Sequence, residues 1–86
     1  MEKALQVKIV SPEKIVYHGP AQSVQVPGEK GSFEVLYNHA PIISCLVQGV
    51  VRCVGKESME IRIAGGFIDV NDNFVSICIE PEVSMD

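Results

Sequence analysis

The sequence predicts an all-β fold, an antiparallel sandwich or barrel of eight to ten short strands, on three observations. Valine and isoleucine together number 22 against three leucines, and β-branched side chains fit a pleated sheet better than a helix. Apolar and polar residues alternate with a period of two along many short runs, and nowhere do apolar residues recur at three and four over several turns, so no long helix is expected. Turn-forming residues break the chain at close, regular spacing, as in sandwiches and barrels.

Taken in order, Leu5, Val7 and Ile9 alternate with Gln6, Lys8 and Val10, and Ser11-Pro12 ends that strand because proline donates no ladder hydrogen bond. Lys14 to His18 form a second strand closed by Gly19-Pro20. In Ala21 to Val26, Val24 and Val26 share one face until Pro27-Gly28 turns the chain. Gly28 and Gly31 allow a tight reversal before Phe33 to Leu36. The corner Tyr37-Asn38-His39-Ala40-Pro41 cannot continue that strand. Asn38 tolerates left-handed φ, Pro41 lacks the amide donor, and Ala40 is pushed to an extended conformation. Ile42, Ile43, Leu46 and Val47 return to the core, and Val51 and Cys53 alternate with Val50, Arg52 and Val54. Gly55-Lys56-Glu57 reads as a hairpin loop before Met59, Ile61 and Ile63, which define one dry face. Gly65-Gly66 bends or bulges the chain. Phe67 to Val70 run into the turn Asn71-Asp72-Asn73, Val75, Ile77 and Ile79 carry the next strand, and Glu80-Pro81-Glu82-Val83 forms an edge or a tail.

Composition narrows the function classes. Eighty-six residues, 47% of them hydrophobic, suit one domain over residues 1–86. A chain this short buries only about 60% of its unfolded surface, which makes a permanent partner useful. A net charge of -4 with lysines and arginines scattered singly argues against nucleic-acid or membrane-surface binding. No apolar run approaches the roughly 20 residues that span a bilayer. The start, Met1 to Gln6, lacks a signal-peptide apolar segment, so a soluble intracellular protein is expected.

Three cysteines, Cys45, Cys53 and Cys78, include no Cys-x-x-Cys pair and read as reduced small core residues. A metal site using them with His18 or His39 is the sharper alternative, and the spacing gives it no support. No nucleophile elbow, phosphate loop or paired carboxylates occur, so the chain reads as non-catalytic, with no catalytic, cofactor-binding or metal residues and no cofactor. His39 reads as a structural hydrogen-bonder, an interface residue, or both. Val10, Val16, Val50, Val54 and Phe74 fall on the wrong parity for the core, which points to an apolar patch covered by another protein.

The blocks Val24-Gln25-Val26-Pro27-Gly28-x-x-Gly31, Val35-Leu36-x-x-His39-Ala40-Pro41-Ile42-Ile43-x-x-Leu46, Gly49-Val50-Val51-Arg52 and Gly65-Gly66-Phe67-Ile68-Asp69-Val70, with Asn73 and Val75, resemble the epsilon subunit of F-type ATP synthases along nearly the entire chain. That resemblance implies a sandwich of two five-stranded antiparallel sheets in the central stalk, binding the gamma subunit and resting on the c-ring to couple ion-driven rotation to ATP synthesis. It also implies a peripheral position on the cytoplasmic face of the bacterial inner membrane, within a hetero-oligomeric complex. Carried onto this sequence, Ser11 and His39, Ala40, Pro41, Ile42 and Ile43 would lie near gamma. Glu29, Lys30, Gly31 and Ser32 would lie nearest the c-ring. Two departures stand out: Glu34 where many members have glycine, and Tyr37-Asn38 where many have proline-glycine. The family usually continues into a C-terminal pair of helices, whereas this sequence stops at Asp86, so neither hairpin-based inhibition nor ATP sensing is assigned to it. A free-standing sandwich that binds peptides along a sheet edge is the alternative.

Overall fold

The computed structural model describes residues 3–82. Among them no helix forms, and eight strands follow one another: β1 (Leu5–Val10), β2 (Ile15–Ala21), β3 (Ser23–Gly28), β4 (Gly31–Leu36), β5 (Ile42–Leu46), β6 (Gly49–Val54), β7 (Met59–Asn71) and β8 (Phe74–Pro81). They are hydrogen-bonded in the order β2-β1-β8-β7-β5-β3-β4, with β6 joining β3 to β7.

Strand β7 serves both layers. Its residues 59–63 pair with β6, from Cys53↔Met59 to Gly49↔Ile63, and its residues 66–70 pair with β5. One layer therefore holds β2, β1, β8, β5 and the second half of β7; the other holds β4, β3, β6 and the first half. The all-β sandwich is as the sequence predicts, with two differences of detail. Eight strands stand where about ten were expected, because Met59–Asn71 is one continuous strand of 13 residues and the Glu80-Pro81 edge extends β8. Val83 of that expected tail lies outside the described residues. The pairing is antiparallel except between β1 and β8, which run parallel from Gln6↔Phe74 to Val10↔Cys78.

The core forms because each strand turns its β-branched face inward. Leu5, Val7 and Ile9 of β1, Val24 and Val26 of β3, Val51 and Cys53 of β6, and Val75, Ile77 and Ile79 of β8 are buried together, and among the described residues no polar or charged residue is buried with them. In β7 the inward parity changes. Ile63 is buried on the odd face, whereas Ile68 and Val70 are buried on the even face. The change falls where the β7–β8 register shifts between Ile63 and Gly65, the behaviour of a bulge that re-aims a strand.

Gly66 makes that bulge possible. Its φ of 152° suits glycine, and a Cβ there would strike the Cys78 carbonyl oxygen. Gly31 has a φ of 123° but open space around it. Gly66→Ala is therefore expected to cost about 3 kcal/mol, a strained backbone plus a backbone collision, and Gly31→Ala about 1 kcal/mol from strain alone. In a domain this size the first corresponds to a Tm lower by roughly 10–20 °C. Thermal unfolding of both variants checks this, and equal losses would show that the Cys78 contact is unimportant.

Candidate functional site

Register decides which side chains share an outer wall, since directly opposed residues project from the same face. Val10 pairs with Ile15 of β2 and Cys78 of β8, Cys78 with Phe67 of β7, and Phe67 with Cys45 of β5. Ile15, Val10, Cys78, Phe67 and Cys45 thus form one apolar row across five strands. Ile15 is 57% exposed and Phe67 51%, with Ile43, two residues along β5 from Cys45, at 78% and Phe74 at 61%. These large side chains stay in water although the chain has a core to receive others.

The opposite wall differs in kind. There Glu34, Gln25, Arg52 and Glu60 are in register across β4, β3, β6 and β7, and Arg52 Nε–H donates to Glu60 Oε2 at 2.7 Å. Val50 and Val54 belong to this polar wall, and Val16 packs against the core. Of the five off-parity residues expected to form one patch, only Val10 and Phe74 share the apolar wall. Parity separates inside from outside but cannot tell one outer wall from the other.

The corner between β4 and β5 is built by hydrogen bonds. Asn38 has a φ of 65°, the left-handed conformation that proline-glycine would supply at Tyr37-Asn38. The His39 backbone N–H donates to the Leu36 carbonyl at 3.0 Å, and His39 Nδ1 lies 2.7 Å from the Ala40 carbonyl. A carbonyl only accepts, so that ring nitrogen is the donor. The Asn38 backbone N–H donates to Asn73 Oδ1 at 2.6 Å, and Asn73 Nδ2–H donates to Asn38 Oδ1 at 3.2 Å. Asp72 and Asn73, with φ of 52° and 66°, are the central pair of the tight β7–β8 turn.

His39, Ala40 and Pro41 therefore sit in one corner, followed by half-buried Ile42 and by Ile43 on the apolar wall. Ser11 is not with them. It follows Val10, at the level of Cys78, whereas the corner stands at the level of Asn73, about five residues or roughly 16 Å along the strands. There the Ser11 N–H donates to the Lys14 carbonyl at 2.9 Å and Ser11 Oγ accepts from the Lys14 N–H at 3.3 Å. Glu29, Lys30, Gly31 and Ser32, all exposed, cap the β3–β4 hairpin at the same end as Ser11, because Gly28 pairs with Leu46 and Leu46 with Gly66. Phe67, central to the apolar row, was assigned to no site by the sequence reading. Its signal was the Gly65-Gly66 pair before it, which reverses parity.

Among the described residues no group of three or more His, Cys, Asp or Glu side chains could hold a metal ion. The cysteines are free, with Cys45 exposed, Cys78 half-buried and only Cys53 buried, so the expectation of core cysteines holds for Cys53 and is corrected for Cys45 and Cys78. Both lie on the outer face, on either side of Phe67. Burial pushes the Cys53 thiol above its ordinary 9.0, partly offset by a hydrogen bond with Tyr17. Burial, with Cys53 and Glu57 nearby, pushes the Tyr17 phenol above its ordinary 10.0.

Residues 4–83 match the family described as ATP synthase, Delta/Epsilon chain, beta-sandwich domain. The chain belongs to that family. Among relatives of the Delta/Epsilon family, the ATP synthase epsilon chain of Leptospira borgpetersenii serovar Hardjo-bovis (strain JB197) is 47% identical over 74 residues, 85% of this chain and 58% of the relative. The chain thus spans little more than half the length of that protein. The ATP synthase epsilon chain of Chlorobaculum tepidum is 40% identical over 85 residues, 96% of each chain. The fold is similar to a chain in the Euglena gracilis mitochondrial ATP synthase OSCP/F1/c-ring structure, with a TM-score of 0.86 at 19% identity, covering 100% of this chain and 58% of that one. It is also similar to a chain of the Tetrahymena thermophila mitochondrial ATP synthase central stalk and c-ring structure, with a TM-score of 0.78 at 16% identity, covering 92% and 64%.

The raised Cys53 and Tyr17 values make this family member's stability pH-dependent. Both groups hold their protons to higher pH when folded than when unfolded, so the stability they contribute is complete below about pH 8 and is lost as pH rises through 9 and 10. Tm measured from about pH 7 to pH 11 should fall across that window, and Cys53→Ala should flatten the first part of the decline. A Tm independent of pH there would contradict the burial of both groups.

Proposed function

We propose that this chain is a central-stalk subunit of an F-type ATP synthase. It binds the gamma subunit through the apolar wall and the His39–Ile43 corner, and contacts the c-ring through the Glu29–Ser32 hairpin, coupling ion-driven rotation to ATP synthesis. The observation that carries this reading is the apolar row from Ile15 to Cys45, set in register on one outer wall while the opposite wall carries an ion pair. A sandwich that worked alone would have polar outer walls on both sides. Family membership names the assembly that would cover the row, and the Euglena and Tetrahymena ATP synthase structures contain chains of similar fold.

The role is mechanical and non-catalytic. Close-packed β-branched cores deform little, and torque transfer needs a stiff body held firmly, through an obligate interface of roughly 2,000 Å² or more. The subunit acts peripherally, on the cytoplasmic face of a bacterial inner membrane, and among the described residues no helix is long and apolar enough to cross one. Ser11, at the hairpin end of the sandwich, would meet gamma at a different level from His39. The sandwich supplies the docking surfaces for this role and needs no cofactor to do so.

A free-standing protein-binding module would instead use the edges of β2 and β4, which among the described residues each pair on one side only. Binding of the purified chain to the gamma subunit of the same organism separates the two. Phe67→Asp, at the middle of the row, should weaken gamma binding about thirtyfold or more, and Phe74→Asp and Val10→Asp about tenfold, because each buries a charge only on docking. For exposed Phe67 and Phe74 the Tm of the isolated chain should stay within a few degrees. A Tm loss as severe as the binding loss, or a chain indifferent to gamma at micromolar concentration, would overturn the proposal.

A further inference from the structure

Three residues other than glycine hold positive φ among the described residues: Asn38, Asp72 and Asn73. All three fall in one hydrogen-bonded assembly at one end of the sandwich. Left-handed backbone on non-glycine residues persists where surrounding structure enforces it, and it gathers at sites that must be held in shape. Here the enforcement is reciprocal. Asn73 accepts the Asn38 backbone N–H through Oδ1 and donates through Nδ2 to Asn38 Oδ1, so two segments 35 residues apart are clasped face to face. The Asn73 carbonyl also accepts the Gln6 N–H at 2.9 Å, which ties the turn to the start of β1.

Regular sheet pairing does not hold this corner. Residues 37–41 lie between β4 and β5, and among the described residues the only other backbone hydrogen bond entering them from outside is from His39 N–H to the Leu36 carbonyl. Tyr37, Asn38, Ala40 and Pro41 are all exposed. We infer that Asn73, with Asn38, is a positioning residue that preforms the His39-Ala40-Pro41 corner as a docking surface, so that a partner does not have to order it on binding. The inference rests on the gamma-binding reading of that corner. A corner left free to move would lose affinity through the entropy of ordering it.

Substitutions can remove the clasp while sparing the turn. Asn73→Gly keeps an Asp-Gly pair, which is the preferred chemistry of a tight hairpin turn, and deletes both side-chain hydrogen bonds. Asn38→Gly keeps the left-handed backbone and the N–H that donates to Asn73 Oδ1, and deletes only the second bond. Gamma binding should weaken about tenfold in Asn73→Gly and about threefold in Asn38→Gly, the effect of losing two hydrogen bonds against one, with Tm within a few degrees of the unaltered chain. Faster amide exchange at residues 38–40 in Asn73→Gly would report the loosened corner directly.

A double-mutant cycle distinguishes positioning from a general weakening. If Asn73 acts through the corner, Asn73→Gly should add little to the loss caused by His39→Ala, and should add in full to the loss caused by Phe67→Asp. Full additivity with His39→Ala, or unchanged gamma binding by Asn73→Gly, would overturn this inference while leaving gamma binding intact. Failure of the unaltered chain to bind gamma would overturn the proposed function and this inference with it.

Discussion

The parity reversal at Gly65-Gly66 is the constraint on which the rest of the molecule depends. A strand shared between two layers must present its apolar side to the common interior along its whole length, although it changes direction between them. One extra residue at the bend achieves this: Ile63 faces inward before it, and Ile68 and Val70 after it. Only a residue without a Cβ fits beside the Cys78 carbonyl, so the local demand on Gly66 and the closure of both sheets are one requirement. The same reversal sends Phe67 outward, to the middle of the apolar row.

The strands were legible because each carries its own signal. Period-two alternation in β1 and β6 marks inside and outside without reference to any neighbour, and Asn71-Asp72-Asn73 announces its turn through residues that tolerate positive φ. The long course of β7 was not legible, because a glycine pair signals either a break or a bulge and only the pairing partner decides. The parallel contact of β1 with β8 was hidden for a related reason, since the sequence of one strand does not name its neighbour. Phe67 was lost with the parity count, and Cys45 looked like a core residue because small thiols are usually buried. The corner was picked out by Asn38 and Pro41, but its clasp joins residues 35 positions apart, a separation no local pattern reports.

The two outer walls differ in their central rows. Arg52 and Glu60 lie opposite each other on neighbouring strands and form an exposed pair, of the sort that contributes little to stability and keeps a surface wet. On the other wall, the apolar row from Ile15 to Cys45 runs beside a second row in which His18, Lys8, Ser76 and Asp69 lead to Ile43. The corner carrying His39 joins this wall through Ile43, two residues along β5 from Cys45, while Ile42 packs inward against the core. In the proposed stalk role the row would supply area and the corner would supply register.

The parallel contact between β1 and β8 has a consequence for how the molecule comes into being. Gln6 to Val10 find one of their two neighbours only in residues 74–78, far along the chain. During synthesis on the ribosome, the first strand emerges early and has only β2 to lean on. A two-stranded hairpin is marginal in water, so the nascent domain stays open until residues 74–78 have left the exit tunnel, and then closes in one long-range step.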